Sequence, residues 1–171
     1  MRFKKIKLKN IRSYKNQEIE FPEGSLLLAG DVGSGKTSIL LALEYALFGL
    51  QPGQKGNLLL RNNSLMGEVE LELELPTKQI IIERKLKRTQ KGVSNEYAAI
   101  TINGIKKESS VTEIKSIIVS ELGYPIEFVK KNNLLYRYTV YTPQEQMKQI
   151  ILEDAEIRLD ILRHIFGIDK Y

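Results

Sequence analysis

The 171-residue sequence predicts an α/β fold built around a phosphate-binding loop, and three observations predict it. Residues Gly30-Asp31-Val32-Gly33-Ser34-Gly35-Lys36-Thr37 fit the pattern G-x-x-x-x-G-K-[ST], between a short apolar run and an apolar helical stretch. Residues 67–102 hold strand-like segments joined by short links, as in an antiparallel sheet. Ser110-Val111-Thr112-Glu113 has the form of a capping box, with Ile114, Ile117, Ile118 and Leu122 behind it at helical spacing.

Taken in order, Phe3–Asn10 alternates apolar and basic residues, which predicts a first strand. Residues 17–21 predict a second, closed by a turn at Pro22-Glu23-Gly24. Ser25–Ala29 is a continuous apolar run, the pattern of a buried central strand. A helix is expected from about Lys36 to Phe48, apolar nearly all round and so buried, and ended by Gly49. Residues 50–63 read as a loop. Strands follow at 67–75, 78–86 and 97–102, then the capped helix, stopped by Gly123 and Pro125. Tyr136–Thr142 reads as another strand, and Glu145–Phe166 as helix with room for a break near Glu153 and Asp154.

Composition bounds the function. Forty-two per cent of residues are apolar and 27% charged, which suits a globular domain with a proper core. No apolar run approaches the roughly 20 residues that span a bilayer. The basic N-terminus lacks an unbroken apolar core, so a mature, intracellular start is expected. There are no cysteines, which excludes disulfides, thiolate metal sites and cysteine nucleophiles. The lone histidine, His164, is assigned no chemistry. The net charge of +5 gives a mild bias toward polyanions. Abundant Ile, Lys and Glu without cysteine would suit a thermophile.

The loop at 30–37 carries the chemistry. Glycines let successive N–H groups turn inward toward phosphate oxygens, and the following helix N-terminus favours anions. Lys36 is expected to reach the β- and γ-phosphates of ATP and the Thr37 hydroxyl to ligate Mg2+, with Asp31, Val32, Gly33, Ser34, Gly35 and Ser38 completing the cradle. Turnover needs more. A Walker B strand ends in Asp followed by Glu, and the nearest candidate, Ile150-Ile151-Leu152-Glu153-Asp154, has its acids in the wrong order and one apolar residue too few. Met147, Ile150 and Ile151 are spaced for a helix. Nothing resembles a Ser-Gly-Gly signature.

In its order of pieces the chain resembles the N-terminal half of an SMC-like ATPase head of the Rad-fifty/SbcC double-strand-break repair group, over essentially its whole length. The resemblance rests on KIKLKNIRSYKNQEIEF, GDVGSGKTSILLALEYALFG, VYTPQEQMKQIIL and RLDILRHIFGIDKY. Asp31-Val32 departs from the Pro-Asn common in that family. The resemblance implies an ABC-type head lobe covering residues 1–171: hairpin, P-loop and Walker A helix to 65, antiparallel strands to 108, a helical segment to 135, then a Q-loop and a helix leading toward a coiled coil. It implies that signature and Walker B lie beyond that coiled coil, so that this chain is one piece of a split head and inactive alone. Implied partners are the C-terminal half, a second head joined on ATP, an Mre-type nuclease and duplex DNA, with no membrane. The implied location is the cytoplasm of a prokaryote, on the nucleoid when DNA-bound.

Residue by residue, the resemblance makes Gln144 the Q-loop glutamine, ligating Mg2+ and orienting water, and catalytic together with Lys36. It places Arg12 and Ser13 at the nucleotide, and Arg61 as an arginine contributed from the loop after the Walker A helix. Two acid-free segments, residues 1–15 and Arg84–Lys91, suggest a sequence-independent phosphate-binding surface. The alternatives are a complete small P-loop nucleotide kinase and a non-hydrolysing ATP-binding scaffold module.

Overall fold

The computed structural model describes residues 1–50, 55–123 and, in the tail, 154–156, 158–159 and 163. The chain divides into two units, Met1–Val129 and Lys130–Tyr171. In the first, six strands form one sheet: β1 (Arg2–Ile11), β2 (Tyr14–Glu20), β3 (Met66–Leu75), β4 (Lys78–Thr89), β5 (Gly92–Ile102) and β6 (Ile105–Glu108). Their order is β2-β1-β3-β4-β5-β6, and every neighbouring pair is antiparallel. Two helices, α1 (Lys36–Phe48) and α2 (Val111–Glu121), cover one face. Helix α1 packs on β1, β3 and β4, and α2 on β5 and α1.

Period-two patterning explains the sheet. Ile6 and Leu8 of β1, Val69, Leu71 and Leu73 of β3, and Ile80, Ile82 and Leu86 of β4 are all buried beneath the helices. The intervening residues form a ladder of opposite charges on the other face. Lys7 meets Glu70 at 2.8 Å, Lys5 meets Glu18 at 2.6 Å, and Lys87 meets Glu96 at 2.8 Å. These cross-strand pairs fix register more than they add stability, since exposed ion pairs contribute roughly 0–1 kcal/mol.

Helix α1 has the expected bounds, is buried from Ala42 to Phe48, and ends at Gly49, whose φ of 74° few other residues adopt. The capping box at α2 is half made. Ser110 Oγ accepts from the Glu113 N–H at 3.2 Å, but the Glu113 carboxylate accepts from Lys107 Nζ at 2.7 Å and from the Ser109 hydroxyl.

Several expectations are corrected. Ser25–Ala29 is not a strand: Leu26 and Leu27 are 45% and 86% exposed. A central strand needs partners on both edges, and among the described residues no strand pairs with this segment. Strand β2 begins at Tyr14 rather than residue 17, and β5 at Gly92 rather than residue 97. Strand β6 is additional; Asn103 and Gly104 both take positive φ, 48° and 84°, as a two-residue hairpin turn requires. In the tail, Ala155, Glu156, Arg158, Leu159 and Arg163 are helical as expected. Gln144, the strand at 136–142 and the remainder of the tail helix lie outside the described residues.

Candidate functional site: the glycine loop and its supports

The loop between β2 and α1 turns on glycines. Gly33 and Gly35 take φ of 86° and 100°, in the left-handed region that other residues reach only with strain. Gly35 is also the N-cap of α1, with no side chain capping the helix and no acidic residue in its first turn. The Ser38 N–H donates to Gly35 O at 2.9 Å, which leaves the N–H groups of Lys36 and Thr37 for an anion, and the helix dipole adds partial positive charge there. Lys36 Nζ lies over the loop, donating to Gly30 O at 2.6 Å, Asp31 O at 2.8 Å and Ser34 Oγ at 3.3 Å. A nucleotide phosphate can replace these neutral acceptors with a charged one, a stronger bond.

Thr37 is exposed at the second helical position, whereas Ser38 is buried. The described residues contain no cluster of three or more acidic or histidine ligands. This donor set does not suit an all-protein metal cage. It does suit Mg2+ held mainly by phosphate oxygens, with the Thr37 hydroxyl as one protein ligand. Asp31, Val32, Gly33 and Ser34 are all exposed at the loop surface.

Three of the remaining expected residues form one structure. The turn between β1 and β2 holds Arg12, with a strained φ of 45°, and Ser13. Arg61, from the loop after α1, donates through Nη1 to Arg12 O at 2.9 Å and Ser13 O at 2.8 Å. The backbone stitches the same elements together: Arg12 N–H to Leu59 O and Arg61 N–H to Asn10 O, both 2.9 Å. Arg61 thus acts on the turn carrying Arg12 and Ser13. The next residue, Tyr14, lies directly on the glycine loop. A Cβ at Gly35 would sit 2.8 Å from Tyr14 Oη and 2.9 Å from Cζ, so this position needs glycine for space as well as for φ. Gln144 lies outside the described residues.

The second basic segment is solvated only in part: Lys87 and Lys91 are exposed, the latter at the turn between β4 and β5. Arg84 is 1% exposed. Its Nε donates to Ala46 O at 2.7 Å and its Nη2 to Leu47 O at 3.2 Å, two carbonyls of the last turn of α1. A cation there satisfies helix-end acceptors and complements the helix dipole. Burial lowers its pKa to about 10, which leaves it charged at neutral pH, and Nη1 finds no partner. Lys85 pairs with Glu68 at 3.4 Å, and Arg88 turns inward onto the loop after α1. In the first segment, Lys4, Lys5, Lys7 and Lys9 are paired with glutamates of β2 and β3. Cross-strand carboxylates thus offset the charge of Lys4, Lys5, Lys7, Lys9, Lys85 and Lys87, while Arg84 and Arg88 turn to backbone oxygens.

Tyr14, Arg84 and Arg88 were not assigned to the nucleotide region by sequence. A signal for the two arginines existed: both are in phase with Ile80, Ile82 and Leu86 on β4.

The profile of the family described as "AAA domain" matches residues 5–171. Among curated proteins, the chain is similar to a DNA double-strand break repair Rad50 ATPase of Methanococcus maripaludis, 28% identical over 176 residues, covering 100% of this chain and 16% of the relative. The protein of the same name from Archaeoglobus fulgidus is 32% identical over 170 residues, covering 98% of this chain and 17% of the relative. Among solved structures, the recombination mediator protein RecF with ATPrS is similar with a TM-score of 0.52 and 28% identity, covering 66% of this chain and 29% of that one. The chain thus spans less than a third of each of these three proteins.

Proposed function

We propose, from the premise that this chain belongs to the AAA-domain family, that it is the Mg-ATP-binding N-terminal half of an SMC-like, ABC-type ATPase head of DNA double-strand-break repair. The observation that carries this reading is the uncapped N-terminus of α1, with Lys36 and Thr37 behind glycines held at positive φ. The similarity to Rad50 ATPases supports it, each match falling on a small part of the relative.

In this reading the chain binds nucleotide and does not turn it over alone. Lys36 neutralises the β- and γ-phosphates, and Thr37 ligates the Mg2+ that those phosphates bring. Gln144 contributes from the Q-loop by orienting water. The Walker B acids and the signature loop come from a C-terminal half and from a second head that joins on ATP.

The assembled head works in the prokaryotic cytoplasm with an Mre-type nuclease and holds duplex DNA through backbone phosphates, regardless of sequence. Arg84 takes no part in that surface, and the paired lysines of β1 contribute weakly. Among the described residues no helix is long and apolar enough to cross a membrane.

The test is a thermal-shift titration with Mg2+ and a non-hydrolysable ATP analogue. At about 100 times its dissociation constant the ligand stabilises the fold by roughly 2.7 kcal/mol. Lys36→Ala should lose most of that gain while keeping the unliganded melting temperature. An equal shift in this folded variant would remove Lys36 from the site.

A further inference from the structure

We infer that Arg88, from the segment that sequence suggests as a phosphate-binding surface, is a positioning residue for the nucleotide site, acting through the loop after α1 and through Arg61. The inference rests on the ATP-binding reading above and adds to it a residue outside the P-loop motif.

The geometry runs in one direction. Arg88 Nε donates to Ser64 O at 3.1 Å, Nη1 to Asn57 Oδ1 at 3.3 Å and Nη2 to Arg61 O at 3.4 Å. Its own N–H donates to Leu65 O at 2.8 Å. All four acceptors belong to the loop between α1 and β3. Among the described residues no carboxylate pairs with Arg88, so its charge is given wholly to neutral oxygens of that loop. A planar guanidinium offers donors in several directions at once, which an ammonium cannot do from one position.

The loop held in this way carries Arg61, whose guanidinium reaches Arg12 O and Ser13 O. That turn contains one strained position, Arg12 at φ of 45°, and follows Asn10 near the end of β1, whose φ of 53° asparagine adopts more readily. Strained backbone persists only where its surroundings hold it. The loop supplies the holding, through Leu59 O to the Arg12 N–H and through Arg61 N–H to Asn10 O. The turn feeds directly into Tyr14, which lies on Gly35 at the N-terminus of α1. Gly67 makes the close approach feasible: a Cβ there would stand 2.7 Å from Leu60 Cδ1 and 3.0 Å from Asn10 O. The chain of contacts is therefore continuous from Arg88 to the phosphate cradle. Loss of Arg88 frees the loop, the strained turn relaxes, and Arg12, Ser13 and Tyr14 no longer sit in fixed relation to Gly35.

The experiment measures ATP-analogue affinity by calorimetry for the wild-type chain, Arg88→Ala, Arg88→Lys, Arg61→Ala and the Arg61→Ala/Arg88→Ala double variant, with Lys36→Ala as control. Amide hydrogen exchange is followed at Arg12 and Arg61. Arg88→Ala should bind ATP roughly tenfold more weakly, the loss expected when one charge-assisted contact is no longer held in place. The double variant should be no weaker than the worse single variant, because the two residues act in series. Arg88→Lys, which keeps the charge and most of the stem, should fold and should not restore affinity. Exchange at Arg12 and Arg61 should quicken in both Arg88 variants and stay unchanged in Lys36→Ala. A role confined to stability would lower the melting temperature and leave ATP affinity at the wild-type value, which overturns the inference. So would additive losses in the double variant. Wild-type affinity in all Arg88 variants beside lost affinity in Lys36→Ala refutes only the role of Arg88. No ATP binding by the wild-type chain refutes the ATP-binding reading and this inference with it.

Discussion

Replacing Arg84 tests how the nucleotide-binding helix is anchored to the sheet. Arg84→Ala removes the donors to Ala46 O and Leu47 O, two buried acceptors at the end of α1 that have no intrahelical partner. Each orphaned buried carbonyl costs roughly 1–3 kcal/mol, and the vacated volume adds to that. Against it stands relief from burying a guanidinium whose Nη1 is unpartnered, the same burial that lowers its pKa to about 10. The net expectation is a loss of about 3 kcal/mol, or about 10 °C in melting temperature for a domain of this size. Arg84→Met keeps volume without charge and should lose less, about 1–2 kcal/mol. Arg84→Lys adds a pH signature. Burial disfavours the charged form of a lysine too, so its folded pKa falls below its unfolded one. The unfolded state then binds more protons, and stability of this variant should rise as pH rises above neutrality. Denaturant unfolding followed by circular dichroism measures all three. Unchanged stability in Arg84→Ala, within about 0.5 kcal/mol, would refute the anchoring argument.

Gly35→Ala should be more damaging than an ordinary Gly-to-Ala change, because it combines φ of 100° with a Cβ 2.8 Å from Tyr14 Oη. Tyr14→Ala should relieve the clash but not the backbone strain, so the double variant should recover part of the lost stability and little ATP binding. Full recovery would mean that φ at this position is unimportant. At the other helix, Lys107 and the Ser109 hydroxyl hold the Glu113 carboxyl below the usual carboxylate value of 4.5. A depressed folded pKa gives stability that is complete above 4.5 and is lost as pH falls through the lowered value. Glu113→Gln should therefore flatten the acid side of the stability profile and leave it less stable at neutral pH. Identical acid profiles would remove Glu113 from the account.

Much of this was legible because one face of each element is buried. The alternation of Val69, Leu71 and Leu73 with glutamates fixes β3, and the all-round apolar character of 36–48 fixes α1. The motif 30–37 marks the phosphate cradle through its glycines and Lys36. What escaped the sequence depends on partners. Ser25–Ala29 has the composition of a central strand, but a strand exists only as a pair. Strand β6 has no apolar alternation, and its signal was the Asn103-Gly104 turn instead. Arg84 and Arg88 were read as surface charge because a run of cations suggests solvent. The period-two phase of β4 puts both on the face of Ile80 and Ile82, where an arginine must find oxygen acceptors. The Lys ladder of β1 depended on pairing register with Glu70 and Glu18, which no single strand reveals.

The most direct test of the central claim is steady-state ATP hydrolysis by this chain alone and after reconstitution with a C-terminal half carrying Walker B and signature segments. The account predicts negligible turnover alone, since the sequence carries neither a Walker B pair to activate water nor a Ser-Gly-Gly signature. It predicts turnover on reconstitution, lost in Lys36→Ala. Robust hydrolysis by the isolated chain, abolished by Lys36→Ala, would contradict it and mark a complete enzyme.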